Sequence, residues 1–210
     1  SAWRSLDYEQ QQTPTRGWSL PPYENDGRCP RQARKRSQES PAENLTKQNL
    51  PDGFEIIELP GHFFDMVGFR TPDDVVFLAD CLSSRETLEK YQIGFIYDVA
   101  AYLNTLEKVK NLTAKMFVPA HAETTAEISD LAQYNIDKVY EIAERITCFC
   151  SEPICFEHLL QKLFAQYKLT MNFEQYVLVG STVRSYLSWL KDSGKISAVF
   201  HNNLLLWQRI

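Results

Sequence analysis

The feature that most limits how this chain folds is an abrupt change of character at residue 50. Residues 1 to 50 contain no Ile, Val, Phe, Met or His, and the stretch RGWSLPPYENDGRCPRQARKRSQESPAEN is crowded with Arg, Gln, Ser, Pro and Glu. Such a segment buries too little apolar surface to offset the entropy of its own ordering. It is expected to be disordered, or not to belong to the native fold. Its RQARKR run, set beside acidic neighbours, reads as a solvated segment rather than a nucleic-acid or targeting patch.

From Pro51 onward the apolar residues recur with structural periods. FEIIEL (54–59), MVGFRT (66–71) and VVFLAD (75–80), the last two separated by the turn residues TPDD, predict a three-stranded meander. Ser83 or Ser84 is the expected cap of a short helix through SSRETLEKY, and Asp98 that of a longer one. In the longer helix Val99, Tyr102, Leu103, Leu106 and Val109 make one apolar stripe. AKMFVPA (114–120) predicts a buried strand ending at His121. A long amphipathic helix should follow from about Thr125 to Phe149, with Ile128, Leu131, Val139, Ile142 and Ile146 on one side. Beyond it, residues 151–210 read as a separate unit of helix, helix and terminal hairpin with an Asn-Asn turn, a winged-helix pattern. The expected organisation is a lead segment (1–50), an α/β domain (51–150) and a small α+β unit (151–210).

Composition excludes several classes. A net charge of −5 over 210 residues gives no support to nucleic-acid binding through bulk electrostatics. No run of 18 apolar residues occurs and the sequence opens on no secretory h-region, so neither membrane spanning nor export is expected. Five cysteines in unrelated contexts argue against a disulfide framework and fit a reducing compartment, which places the chain in the cytoplasm. Cys148, Cys150 and Cys155, spaced C-x-C-x4-C with no histidine at finger spacing, read as small apolar residues at a helix end.

Three residues fall at the ends of strands or in the turns after them: His62 in PGH, Asp80 in VFLADC and His121 in FVPAHAE. Imidazole and carboxylate suit a borderline divalent ion such as zinc, and strand ends hold converging ligands rigidly. Taken singly each is weak, since a lone histidine is more often a hydrogen-bonded structural residue and an Asp after an apolar strand most often a cap or turn residue. His158 and His201 have no spaced partner and are not ligand candidates, and Cys81 should point away from the side that Asp80 faces.

The segment ELPGHFFDMVGFRTPDDVVFLADCLS, followed after a helical spacer by KMFVPAHAE, resembles the C-terminal half of the metallo-β-lactamase fold hydrolases over residues 51–125. The resemblance implies an α/β fold, a partial αββα sandwich followed by the winged-helix unit, which some members carry. It implies that His62 stands at the third metal-binding motif, Asp80 at the metal-bridging aspartate and His121 at the last histidine ligand. The ions implied are zinc or another divalent metal in a dinuclear site. The reaction implied is hydrolysis of an ester, thioester, lactone or amide-like bond in a small-molecule substrate by metal-activated water. No further side chain is assigned a catalytic role.

Two departures accompany the resemblance. Phe63, Phe64, Asp65 and Met66 stand where the family has a Thr-Pro-Gly-Ser kind of turn. The family's His-x-His-x-Asp-His cluster is absent, since the four histidines are His62, His121, His158 and His201. One ligand then remains for the first metal and two for the second, against about three protein ligands for a catalytic zinc. The chain is therefore expected to be a partial, impaired copy, as a truncated gene, an out-of-frame reading or a fragment would give. A half-sandwich would leave one sheet face open, through Val67, Phe69, Val76 and Leu78 or their alternates, predicting self-association or low solubility. The alternative is a non-catalytic nucleic-acid-binding or dimerising winged-helix protein built on a hydrolase remnant. Arg184, Lys191 and Lys195 would serve nucleic acid, but Glu152, Glu157, Glu174 and Asp192 offset them, which favours dimerisation.

Overall fold

A computed structural model describes residues 50–210, so the expected lead segment, apart from Leu50, lies outside the described residues. The chain first forms β1 (Glu55–Glu58), β2 (Val67–Arg70) and β3 (Val75–Ser83), an antiparallel meander as the alternation predicts. The turn between β2 and β3 is held by Thr71, whose hydroxyl accepts from the Val75 N–H at 3.1 Å. Helices α1 (Arg85–Tyr91) and α2 (Val99–Lys110) then carry the chain over the sheet to β4 (Met116–His121), which pairs parallel with β3. The helix caps are the expected ones. Ser84 accepts from the Thr87 N–H at 3.1 Å, and Asp98 from the Ala101 N–H at 2.9 Å.

After β4 comes α3 (Ser129–Phe149), which begins four residues later than the apolar period suggests. The reason is tertiary: Phe117 and Thr125 exchange backbone hydrogen bonds of 2.7 and 3.0 Å, so Thr125 is engaged in an antiparallel bridge to β4 before the helix can start. Helices α4 (Phe156–Gln166) and α5 (Phe173–Asp192) follow, and β5 (Ile196–His201) and β6 (Leu204–Arg209) close the chain as a hairpin. Asn202 and Asn203 make its turn with φ of 48° and 60°, the left-handed pair that a two-residue hairpin loop requires.

The four-stranded sheet, in order β1-β2-β3-β4, has two unlike faces. Ile57, Leu59, Val76, Leu78 and Phe117 are buried in one core with the α2 stripe and with Ile136, Val139, Ile142 and Ile146 of α3. On the other face Phe77 remains 44% exposed beside Val67, Phe69 and Val118, around an open hollow of about 240 Å³. The expectation of an open face is met by Val67 and Phe69 but corrected for Val76 and Leu78. Strand alternation puts those two among the helices and turns Phe77 outward.

The apolar core continues without interruption from the sheet through α4 and α5 to Ile196. Two hydrogen bonds tie α5 to the segment before α2: the Ile96 N–H donates to Thr182 Oγ1 at 3.2 Å, and the Ser185 hydroxyl donates to the Tyr97 carbonyl at 2.8 Å. No helix among the described residues is long and apolar enough to cross a membrane.

Candidate metal centre

The site grows from three chain turns that meet at one end of the sheet. Gly61 opens the first, with φ +123° and its α-carbon pressed against α2: a Cβ there would stand 2.2 Å from the Tyr102 backbone nitrogen. Only glycine permits both the backbone angle and the approach. The Gly61 carbonyl accepts from the N–H groups of Tyr97 and Asp98, each at 3.0 Å, and the Thr105 hydroxyl donates to the Pro60 carbonyl at 2.6 Å. His62 is thus carried on a turn pinned to the start of α2.

The second turn is a distortion inside β3. Register slips between Phe77 and Ala79 and again between Ala79 and Ser83, and Ala79 has φ +47°. A bulge with a left-handed non-glycine residue re-aims the side chains that follow it. Asp80 comes next, half-exposed, while Cys81 is fully buried on the opposite side. Beyond the bulge, Asn135 of α3 grips the strand end, accepting from the Ser83 N–H at 3.0 Å and donating to the Ser83 carbonyl at 2.9 Å. The third turn ends β4, where the His121 carbonyl accepts from the Ser84 N–H at 2.9 Å.

These frames bring the three sequence candidates together. His121 Nε2 lies 3.3 Å from Asp80 Oδ1, and His62 Nε2 lies 4.0 Å from Asp80 Oδ2, so one carboxylate stands between two imidazoles. Burial pushes the His62 imidazole below its ordinary value; the Asp80 charge opposes this, His121 adds to it, and the Phe95 backbone opposes it weakly. At neutral pH His62 is therefore held in the uncharged form that ligates metals. The Phe95 ring also meets the His62 ring edge-on at 5.5 Å.

Two donors on one tetrahedral zinc sit roughly 3.4 Å apart, so the Asp80–His121 spacing suits a shared ion. His62 faces the other carboxylate oxygen. Yet among the described residues no group of three His, Cys, Asp or Glu side chains is arranged to hold an ion. A catalytic zinc takes about three protein ligands. The residues present therefore do not fit a complete metal site, and no reaction step through a metal follows from them.

Sequence reasoning missed Ala79, Thr105 and Asn135, which position the three candidate side chains from the surrounding backbone. Asn135 left a trace: it is a polar residue on the apolar side of α3 and is 2% exposed. Ala79 left none, because a positive φ at alanine has no signature in composition.

No protein-family model matches the chain, and no curated protein does. Solved structures do match. A metallo-β-lactamase family protein of Thermus thermophilus superposes with a TM-score of 0.59 at 15% identity, covering 77% of this chain and 54% of that one. A beta-lactamase domain protein of Burkholderia ambifaria gives a TM-score of 0.60 at 13% identity, covering 81% and 54%. The chain has the metallo-β-lactamase fold in part, and it spans about half the length of these structures.

Proposed function

We propose that residues 50–210 form the C-terminal half of a metal-dependent hydrolase, using zinc or a similar divalent ion, that cleaves an ester, thioester, lactone or amide-like bond. The observation that carries this reading is the seating of Asp80 between His62, at 4.0 Å, and His121, at 3.3 Å, in a fold shared with solved metallo-β-lactamase structures. In this half alone the centre is impaired, because the donors beyond these three have to come from outside residues 50–210. The sheet face around Phe77 is where a complementary polypeptide or a second copy would pack. The free thiols of Cys81, Cys148, Cys150 and Cys155 fit a cytoplasmic setting.

Metal analysis of the purified chain is the direct test. We expect far less than about two zinc ions per chain, the complement of a complete dinuclear centre, with the residual binding abolished in a His121→Ala, Asp80→Asn double variant. Metal retained in that variant would remove the site assignment. A full zinc complement in the wild-type chain would show that it is not impaired.

A second reading, a dimerising terminal unit without catalysis, is favoured by one observation. Phe200, Leu204 and Leu205 stay exposed at the tip of the β5–β6 hairpin, an apolar patch that suits a protein contact better than a nucleic acid. Substituting Phe200 and Leu204 with serine should then shift the oligomeric state.

A further inference from the structure

The turn that carries His62 also carries Phe63 and Phe64, and Tyr97 of the segment before α2 packs against them, so that three aromatic rings stand together outside the buried core. Phe63 is 48%, Phe64 52% and Tyr97 54% exposed, and none belongs to the buried core. The two phenylalanines stack with ring centres 4.2 Å apart, and Tyr97 meets Phe64 edge-on at 5.6 Å and Phe63 at 6.1 Å. The cluster is fixed from below. The Tyr97 N–H donates to the carbonyls of Gly61 and His62 at 3.0 and 3.2 Å, the Gly61 N–H donates to the Phe63 carbonyl at 3.1 Å, and Ser185 holds the Tyr97 carbonyl. These bonds hold the backbone beneath the rings, and the stacked, half-exposed rings offer π-faces to a ligand.

The other flank of the site has the opposite character. Next to His121 a groove of about 630 Å³ is bordered by Glu86, Glu123, Glu127 and Asp130. Arg85, on the same wall, lies over the Tyr134 ring at 4.2 Å. An anionic ligand is repelled there.

We infer that Phe63, Phe64 and Tyr97 form a recognition platform for a flat aromatic or apolar group on an uncharged substrate, placed beside the carbonyl to be hydrolysed. The inference rests on the hydrolase reading and narrows it, selecting neutral aromatic esters, thioesters or amides over acidic ones. It concerns binding alone, so it does not need a complete metal centre.

The test is calorimetric titration of the full chain with phenylacetamide, and with acetamide and phenylacetate as comparisons. Phenylacetamide should bind, acetamide should not, and phenylacetate should bind more weakly than the amide. A Phe63→Ala, Phe64→Ala variant should lose about tenfold or more in phenylacetamide affinity, while its circular dichroism and its zinc content stay those of the wild type. Zinc content reports on the hydrolase reading and ring selectivity reports on the platform, so each can fail without the other. Equal binding of phenylacetamide and acetamide, or undiminished binding by the double variant, would overturn the platform. So would a double variant that turns an associated chain into a monomer, because the rings would then be a subunit contact.

Discussion

At the residue scale, single atoms decide whether the candidate centre is assembled. Gly61→Ala forces a Cβ against the Tyr102 backbone at a positive φ, and we expect a loss of about 2 kcal/mol or more in chemical denaturation. The cysteines divide by environment. Burial, reinforced by the neighbouring Asp80 charge, pushes the Cys81 thiol up to about 12, and burial pushes Cys150 to about 11, while Cys148 is exposed. Iodoacetamide at pH 8 should therefore modify Cys148 and spare Cys81 and Cys150 until the chain is unfolded, as peptide mass mapping would report. The sequence offers His62, Asp80 and His121 as candidates through their strand-end positions and the family resemblance, and the fold brings the two histidines within 4.0 Å of Asp80. What joins them was not legible, since the left-handed Ala79 and the reach of Asn135 across to Ser83 are consequences of tertiary packing.

At the scale of elements, caps and stripes were read correctly because they depend on neighbours within one helical turn. Ser84, Asp98 and the buried stripe from Val99 to Val109 are such cases. Asp98 does two jobs: its side chain caps α2, and its N–H reaches the Gly61 carbonyl at 3.0 Å. Asp98→Ala should cost about 1 kcal/mol through the lost cap, measured as a lowered denaturation midpoint, with the Gly61 contact retained because it uses the backbone. The beginning of α3, at Ser129, departs from the apolar period for a nonlocal reason. Thr125 is claimed by Phe117, and no window along the chain displays that competition.

At the scale of the whole molecule, the sheet among the described residues is covered by helices on one side, and on the other Phe77 is exposed. Which residues face outward could not be read from VVFL, where apolar residues occupy both faces of the strand, and the structure settles it in favour of Phe77. We expect the isolated chain to self-associate through this face, and Phe77→Lys to shift sedimentation toward the monomer. Unchanged sedimentation of that variant would place the contact elsewhere.

The two hydrogen bonds from Thr182 and Ser185 of α5 to Ile96 and Tyr97 set an order in time. A ribosome delivers the His62 turn more than a hundred residues before it delivers the helix that braces its support. At synthesis rates of about 5–20 residues per second, that interval lasts on the order of ten seconds, during which His62, Asp80 and Phe77 are all present but the brace is not. Nascent chains stalled before Thr182 should be cut by protease within residues 92–98, and full chains that have formed both bonds should resist.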